Sequence, residues 1–405
     1  MKEEINSSVV LSIGIPTYNR APYLKYLLNK LCEQRALMRH NYEILISDNA
    51  STDHTELVVQ EFVHLLPIRY FRNKENLGGE KNNLNCIKNA HGEYYIYLAD
   101  DDFIYLDQVN NKISFLRQNK KVAALYAPWD LFSAVSNTKQ GQFYKHDDCT
   151  LIKNKDYLSL AKFITKNHIF SEIGIYRRSS LLSIQVVNSL AFWAFTIPAE
   201  FCGIGDIYYD NVPFYASITA HPADGGSRRI QAGNEEAMVA WDRYRGGLEH
   251  LVGLARTAAT GEDLQELFTN METMVNDRML VALRLRFNSQ SDPIENYFLA
   301  SRLRGRGIKI NELPLIRARA AINWLSTKVA AHYNAKRIVL SPKFKLSDFD
   351  KLLNAAAIPI VEYVSEIKEG DILLGFGHGG VEDFDIKNMP HSFYISEEDL
   401  LLKYP

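Results

Sequence analysis

Three consecutive carboxylates, Asp100, Asp101 and Asp102, follow a segment rich in tyrosine and isoleucine, residues 93–99. Adjacent acids repel one another, and at the end of a buried strand they need a counter-charge. Carboxylate oxygens suit Mg2+ or Mn2+. Because open α/β sheets bind ligands at the carboxyl ends of their strands, the triplet predicts a divalent-cation site, with a solvated acidic turn as the alternative.

The first 130 residues alternate between segments with strand and helix patterns, and these must position the acids. Alternation of this kind predicts an α/β fold, with a mostly parallel, Rossmann-like sheet and helices on both faces. The predicted strands are residues 9–15, 42–47, 68–72, 93–99 and 122–127. The predicted helices are residues 22–34, 53–65 and 106–118, and one that buries Leu84, Ile87 and Ala90. Asp53 and Glu56 form a capping-box pattern at the start of the second helix.

The remainder of the chain is predicted to fold as mixed structure, then helices, then a small α/β module. In the mixed part we expect a strand at 168–178, a buried helix at 181–202, extended chain at 206–218 and a loop at 221–229. Residues 234–333 have a helical pattern. The last part adds helices at 346–358 and 396–404 between short strands. This pattern predicts three domains, residues 1–230, 231–335 and 336–405.

The composition indicates a globular protein, with 46% hydrophobic and 23% charged residues in a chain of 405. A net charge of -2 argues against a general nucleic-acid binder. The four cysteines lie far apart and show neither zinc spacing nor a disulfide framework. The most apolar window, residues 190–205, is interrupted by Pro198 and Glu200 and is shorter than the roughly 20 residues of a membrane span. We therefore expect a cytoplasmic protein, soluble or peripheral to the membrane.

The charge is unevenly distributed in the second half of the chain. Residues 278–345 are strongly basic, whereas residues 346–402 are strongly acidic. In one interpretation the acidic module covers the basic helices, within one chain or across a homo-oligomer. In the other, the basic face meets the inner face of an anionic membrane, or a phosphate-bearing molecule.

Four short motifs follow the predicted strands in order: IPTYNR (15–20), SDNASTDHT (47–55), ENLGGEKNN (75–83) and ADDD (99–102). Over residues 8–220 the chain resembles the family 2 glycosyltransferases, which have the GT-A nucleotide-sugar fold. It is most similar to bacterial polysaccharide and O-antigen transferases, including abequosyltransferase-like members. The resemblance implies inverting, metal-dependent transfer of a sugar from a UDP- or dTDP-sugar to a glycan or lipid-linked acceptor, with Mn2+ or Mg2+ as cofactor.

The resemblance also assigns residues to the nucleotide-sugar donor. In the family an acid at the position of Asp48 accepts the ring N–H of uracil or thymine; the alternative is that Asp48 caps the turn that follows it. Lys81 would meet the diphosphate, unless it is an ordinary exposed lysine. The complete predicted donor set is Pro16, Tyr18, Arg20, Asp48, Gly78, Lys81 and Asp100.

The same resemblance makes Asp101 the first candidate metal ligand, Asp102 the second and His221 a third. For the catalytic base, many family members carry a Glu-Asp pair that this chain lacks. The nearest acids are Glu172, in the predicted strand 168–178, and Glu200, at the end of the apolar helix. A desolvated carboxylate has a raised pKa, which suits a general base, so we predict Glu172 ahead of Glu200.

Two other functions remain open at this point. The missing acid pair is compatible with a non-catalytic sugar-nucleotide-binding or scaffold protein. A sugar-phosphate nucleotidyltransferase on a related fold is the second alternative. Those enzymes place a glycine-rich phosphate loop after the first strand, and IPTYNR has no glycine.

Overall fold

The structure is a computed structural model that describes residues 9–185, 190–225, 237–363, 367–384 and 393–405. The chain forms two units, Met1–Gly233 with Ala240–Val275, and Asn234–Val239 with Asn276–Pro405. The sequence predicted three domains, with boundaries after residues 230 and 335. The division into two units does not test that prediction.

The first unit contains twelve strands and eight complete helices among its described residues. The strands are β1 (Leu11–Thr17), β2 (Tyr42–Asp48), β3 (Ile68–Arg72), β4 (Tyr94–Tyr97), β5 (Phe103–Ile104), β6 (Val122–Tyr126), β7 (Asp130–Ser133), β8 (Thr138–Gln142), β9 (Thr150–Ile152), β10 (Gly174–Arg177), β11 (Asp206–Tyr209) and β12 (Tyr215–Ala220). The helices are α1 (Ala21–Gln34), α2 (Thr55–Phe62), α3 (Gly79–Asn89), α4 (Leu106–Gln118), α5 (Tyr157–Lys166), α6 (Arg178–Leu181), α7 (Trp193–Ile204) and α8 (Trp241–Ala255).

An eight-stranded sheet forms the centre of this unit, in the order β3-β2-β1-β4-β10-β6-β11-β9. Strands β1 to β4 are parallel, and β6 pairs in parallel with β11. Strand β10 runs antiparallel between β4 and β6. A second sheet has the order β5-β12-β7-β8. The predicted α/β fold with a mostly parallel sheet is confirmed.

Helix α1 shows how the hydrophobic pattern gives this architecture. Its leucines Leu24, Leu27, Leu28 and Leu31 are buried on one face, as the 3.6-residue period predicts. Strand β1 is buried along nearly its whole length, as expected for a parallel strand covered on both faces.

Two local predictions in this unit were wrong, because polar contacts replaced the expected ones. Asp53 does not form a capping box. Its Oδ1 accepts from the Thr55 amide (3.0 Å) and its Oδ2 from the Ala21 amide (3.0 Å), so it joins the starts of α2 and α1. On α3, Leu84 is 43% exposed, whereas Asn82 and Cys86 are buried.

The region after α5 departs from the predicted bounds. The strand predicted at 168–178 is limited to β10, because residues 171–173 form a turn. Of the helix predicted at 181–202, residues 193–202 form most of α7, whereas 182–185 and 190–192 are not helical and 186–189 lie outside the described residues. Residues 206–218 form two strands, β11 and β12, and the predicted loop 221–229 is described only to residue 225.

Helix α9 (Gly261–Asn288) continues into the second unit, where the helical pattern and the small α/β module are both confirmed over the described residues. The further helices are α10 (Pro293–Gly305), α11 (Leu313–Trp324), α12 (Ala330–His332) and α13 (Glu397–Leu402), with a π-helical turn at Leu325–Val329. The strands β13 (Ile338–Leu340), β14 (Ile360–Val361), β15 (Ile372–Gly375) and β16 (Phe393–Ser396) form a parallel sheet in the order β14-β13-β15-β16. The helix predicted at 346–358 was wrong: this segment forms 3-10 turns at Leu346–Phe349 and Leu353–Ala355.

Several basic side chains of the second unit contact its acidic, C-terminal part. Arg317 donates to the carbonyl oxygens of Tyr404 (2.5 Å) and Leu401 (3.2 Å), at the end of α13. Arg337 forms two hydrogen bonds with Asp371, of 2.9 and 2.8 Å. These contacts favour the interpretation that the two charged segments pair with each other. None of the helices in the described parts of the chain is long and apolar enough to cross a membrane.

A buried ion pair ties the amino ends of the central strands together. Glu43, on β2, is 4% exposed. One of its oxygens accepts from the Ser12 hydroxyl and the His91 amide, both at 2.6 Å, and the other accepts from Arg69 at 2.6 Å. Burial raises the pKa of Glu43, but these hydrogen bonds outweigh burial, so the pKa of Glu43 is lowered overall.

We expect Glu43→Ala to lower the free energy of unfolding by about 3 kcal/mol, the scale of breaking a buried pair. Because the carboxyl pKa is lower in the folded protein, the contribution of Glu43 to stability is present above its unfolded pKa, about 4.3. This contribution is lost as the pH falls through the folded pKa. Denaturant unfolding at pH 7 and at pH 3 measures both effects.

The matched control is Glu61→Ala. Glu61 forms an ion pair with Lys25 in which both side chains are about half exposed. Surface pairs contribute roughly 0–1 kcal/mol. Equal destabilisation by the two substitutions would contradict a special role for the Glu43 cluster.

Candidate functional site

The carboxyl ends of β1, β2 and β4 form one edge of the central sheet. Thr17 ends β1 opposite Asp48, which ends β2. The acidic triplet begins three residues beyond Tyr97, the last residue of β4. The Thr17 hydroxyl donates to Asp100 Oδ2 at 2.7 Å, which joins the exits of β1 and β4. The strand ends therefore bring predicted residues that are far apart in sequence to a common edge.

Arg20 supplies the counter-charge that the acidic triplet requires. Its Nε lies 2.9 Å from Asp100 Oδ1, and its Nη2 donates to Asp101 Oδ2. The guanidinium lies over the ring of Tyr23, 4.4 Å from the ring centroid. Burial raises the pKa of Asp100 to about 7, with Arg20 opposing the shift and the charge of Asp101 adding to it. Burial also raises the pKa of Asp101. The two acids are thus desolvated and share one cation.

Asp102 makes different contacts from its two neighbours. Its Oδ2 accepts from the Tyr215 hydroxyl and its Oδ1 from the Ile218 amide, both at 2.8 Å. Both partners belong to β12, so Asp102 connects the exit of β4 to the second sheet. Since both of its oxygens accept hydrogen bonds from β12, Asp101 remains the stronger candidate for a metal ligand.

His221 follows β12 and packs against α1. It is 2% exposed, and its ring centroid lies 4.6 Å from that of Tyr23 and 5.1 Å from that of Tyr26. Its Nδ1 accepts from the Ala223 amide at 3.0 Å, which assigns the proton of the neutral ring to Nε2. Burial lowers the pKa of His221, against the nearby charges of Asp224 and Asp101. Nε2 is buried and has no hydrogen-bond partner among the described residues. A ring nitrogen that carries a proton has no lone pair for a cation, so this tautomer does not favour His221 as a metal ligand.

The acidic side chains nevertheless fit a divalent cation that is shared with a ligand. Within the described ranges, no three side chains of His, Cys, Asp or Glu gather into a group that could hold a metal ion. Mg2+ commonly binds through one or two carboxylates together with substrate phosphates. Asp100, which is buried, and Asp101, which is partly exposed, offer such oxygens at a place that already requires positive charge. These two carboxylates therefore suit Mg2+ or Mn2+, with a diphosphate supplying further oxygens.

Asp48 is fully buried, and both of its oxygens have partners. Oδ1 accepts from the Ser51 amide at 2.8 Å, and Oδ2 accepts from the Tyr70 hydroxyl at 2.6 Å. The first contact is the turn-capping bond that the sequence left open as an alternative. Recognition of a pyrimidine base by Asp48 stays a prediction.

An asparagine network at the same edge was missed by sequence reasoning. Asn82 Oδ1 accepts from the Ser47 hydroxyl at 2.7 Å and from Asn73 Nδ2 at 2.9 Å. Asn73 Nδ2 also donates to Asn49 Oδ1 at 3.0 Å, and Asn49 Nδ2 donates to Asn76 Oδ1 at 2.7 Å. The network fixes the β3–α3 loop beside the end of β2. The signal was present, since several of these asparagines directly follow strands.

The remaining predicted donor residues lie around this edge. Pro16 belongs to β1 and pairs with Ser47, and Tyr18, directly after β1, is 41% exposed. Gly78 precedes α3 with a φ of +84°, a conformation that favours glycine. Lys81 is exposed in the first turn of α3. Their roles in donor binding stay predictions.

The two candidate bases lie at different edges of the sheet. In β10, Ile175 pairs with Ile96 of β4 and Gly174 with Tyr126 of β6. Because β10 is antiparallel to β4 and β6, it begins at the edge where those strands end. Glu172, in the turn just before β10, therefore lies towards the edge that carries Asp100. Glu172 is half-buried. The pKa values of Tyr144 and Tyr176 are raised, mainly by burial, and the negative charge of Glu172 raises them further.

Glu200 lies towards the opposite edge. It is exposed near the end of α7, which leads into β11 at Asp206. Asp206 pairs with Val122, the first residue of β6, so this end of α7 approaches the amino edge. The position of Glu200 does not favour it as a base for chemistry at Asp100 and Asp101.

Known proteins resemble this chain mainly over its first part. Residues 12–184 match the family model for glycosyl transferase family 2. A Rickettsia bellii protein described as an uncharacterized glycosyltransferase is 27% identical over 248 residues, which are 58% of this chain and 33% of that protein. Abequosyltransferase RfbV of Salmonella typhimurium is 40% identical over 103 residues, which are 25% of this chain and 31% of RfbV. The chain thus spans about a third of the length of these relatives.

Among solved structures, Staphylococcus aureus TarS in complex with UDP-GlcNAc aligns with 73% of this chain and 88% of its own, at 16% identity and a TM-score of 0.45. The family match, by contrast, covers β1 to β4 and the strand exits that carry Asp48, Asp100 and Asp101. Residues 12–184 therefore have the sequence pattern of glycosyl transferase family 2, and the match covers less than half of the chain.

Proposed function

We propose that the chain is an inverting glycosyltransferase that moves a sugar from a UDP- or dTDP-sugar to a glycan or lipid-linked acceptor in bacterial surface polysaccharide synthesis. The observation that carries the proposal is the acidic pair, buried Asp100 and partly exposed Asp101, at the edge of the sheet where β10, the strand after Glu172, begins. The names of two relatives support the class of reaction. One is an abequosyltransferase, and the other, TarS, is a poly(ribitol-phosphate) beta-N-acetylglucosaminyltransferase.

The chain's own residues would hold the donor along this edge. Pro16 and Tyr18 flank the nucleobase, and Lys81 meets the diphosphate from the start of α3. Asp100 and Asp101 would hold Mg2+ or Mn2+, which when bound stabilises the charge of the leaving diphosphate. The asparagine network keeps the β3–α3 loop in place, so these groups are positioned before the donor binds.

Glu172 is the proposed general base. It accepts the proton of an acceptor hydroxyl, whose oxygen then bonds to the anomeric carbon from the side opposite the diphosphate. The bond between that carbon and the diphosphate oxygen breaks, and the configuration is inverted. Glu172 suits this role because it is half-buried between aromatic side chains at the edge that would hold the donor.

We expect Glu172→Gln to lower the rate of sugar transfer by roughly 100-fold or more, the scale of general-base catalysis. Donor affinity should hardly change, since the amide keeps the size of the side chain and Glu172 does not contact the donor diphosphate. Transfer kinetics with an acceptor, and calorimetric binding of UDP, measure the two effects separately.

Glu200→Gln is the matched control and should transfer sugar at the wild-type rate, because Glu200 is exposed towards the other edge. A wild-type rate in Glu172→Gln would exclude Glu172 as the base. If the wild-type protein binds UDP but neither transfers nor hydrolyses the donor sugar with Mn2+ present, the chain is a binding protein and the proposed activity fails.

A second prediction concerns the cation. Asp101→Asn should reduce turnover by roughly 100-fold, because it removes one of the two charges that would hold the metal. Excess EDTA should abolish wild-type turnover, and Mn2+ should restore it. The control is Asp107→Asn, an exposed acid in the first turn of α4, which should leave turnover unchanged. Full activity of Asp101→Asn, or of the wild type in EDTA, would exclude the metal role.

A third prediction concerns the base of the nucleotide. Asp48→Ala should weaken UDP binding by about 1–3 kcal/mol, the cost of an unmet buried hydrogen bond. Wild-type protein should prefer UDP to CDP, because cytosine has no N3–H to donate to a carboxylate. Tyr70→Phe removes one partner of Asp48 but leaves its carboxylate, so this control should keep the preference. Equal wild-type affinities for UDP and CDP would contradict the role of Asp48.

A further inference from the structure

We propose that Arg20 pairs with Asp100 and Asp101 as long as no donor is bound. When the divalent ion binds to these acids, the Arg20 side chain leaves them and pairs with the diphosphate of the donor. This inference rests on the proposed metal-dependent donor binding. It assigns Arg20 two successive partners, whereas a simple donor-binding residue would have one.

The first partner is visible in the contacts of the guanidinium. Arg20 spans both acids, with Nε at Asp100 Oδ1 (2.9 Å) and Nη2 at Asp101 Oδ2. Tyr23 supports the guanidinium from one side. The other ionisable groups around it are Asp224, which accepts from the Tyr23 hydroxyl, and His221, which packs on the Tyr23 ring. Arginine stays charged at any relevant pH, so one positive charge lies beside the two acids without a metal.

A divalent cation and Arg20 cannot occupy this place together. The guanidinium contacts Asp100 Oδ1 and Asp101 Oδ2, so a metal ion held by these two acids would compete with Arg20 for their oxygens. Two cations at hydrogen-bonding distance from the same oxygens would also repel each other. Metal binding therefore requires the Arg20 side chain to leave the acids.

The backbone around Arg20 is fixed, so the side chain itself must move. The preceding residue, Asn19, has a φ of +52°; its amide donates to Ser51 Oγ (2.9 Å), and its Oδ1 accepts from the Thr52 amide (2.7 Å). The Arg20 side chain is 31% exposed, which leaves it room to rotate out.

The released guanidinium is suited to a diphosphate. Its planar set of donors matches phosphate oxygens in pairs, which a lysine ammonium does not. Arg20 lies between β1 and α1, at the edge where the donor is proposed to bind. The diphosphate would thus replace the two carboxylates as the negatively charged partner of Arg20.

This exchange couples the two ligands. A metal ion alone must displace Arg20 without giving it a new partner, so it binds weakly. When the nucleotide diphosphate is also present, Arg20 gains a partner and the metal binds more tightly. By linkage, the metal raises the affinity for the nucleotide by the same factor. Direct contact between metal and diphosphate gives one part of this coupling, and Arg20 gives the rest.

The test measures Mn2+ binding to the full chain at pH 8, with and without UDP. The EPR signal of free Mn2+ reports how much of the ion remains unbound. Arg20→Met keeps most of the length of the side chain but removes the competing charge. We expect it to bind Mn2+ alone on the order of ten-fold more tightly than wild type, while UDP increases its Mn2+ affinity by a smaller factor. Arg72→Met is the control: it removes another cation near this edge, one whose contacts are with Asp48, Glu56 and the Ser51 carbonyl, and should leave Mn2+ binding unchanged.

Arg20→Lys guards against loss of folding, because it keeps a charge beside the acids. It should bind Mn2+ alone as weakly as wild type, and UDP should increase that affinity less, since the ammonium lacks the paired donors. The inference is overturned if wild type binds Mn2+ with UDP but neither Arg20 variant shows its expected change. If wild type fails to bind Mn2+ even with UDP, the metal-dependent function fails as well, which separates the two outcomes.

Discussion

Two carboxylates buried next to each other cannot both stay ionised unless a cation lies close to them. In this chain Asp100 and Asp101 lie three and four residues beyond the end of β4, and burial raises the pKa of both. Arg20, in the turn between β1 and α1, is the cation that contacts both acids. The position of Arg20 depends in turn on Asn19 and on the loop after β2. The exits of three strands are therefore organised around one electrostatic requirement.

The buried acids at the two edges of the sheet, where the strands begin and where they end, have pKa values shifted in opposite directions. At the amino edge, Glu43 joins β1, β2 and β3 through hydrogen bonds with Ser12 and Arg69 and has a lowered pKa. At the carboxyl edge, Asp100 and Asp101 have raised pKa values. A carboxylate with a lowered pKa stabilises the fold at neutral pH, whereas acids with raised pKa values are poised to bind a cation or a proton.

The reversed strand β10 is central to the candidate mechanism. An open parallel sheet brings the exits of its strands to one edge, but the start of a parallel strand lies at the other edge. Because β10 is antiparallel to β4 and β6, the residues that precede it, including Glu172, lie at the carboxyl edge. This inversion places Glu172 towards the same edge of the sheet as the acidic pair.

The sequence by itself determined the α/β alternation, because buried strands and amphipathic helices have different periods that a single chain shows directly. It also located Asp48 and the acidic triplet, since adjacent acids after a buried strand are conspicuous. It did not predict that Leu84 would be exposed and Asn82 buried, because hydrophobic period takes no account of a buried hydrogen-bond network. It ranked Glu172 ahead of Glu200 but could not show that they lie towards different edges of the sheet. Nor could it show that Asp102 contacts β12 and that Arg20 bridges Asp100 and Asp101. Those contacts join residues tens of positions apart, and only the register and direction of strands in the folded sheet decide them.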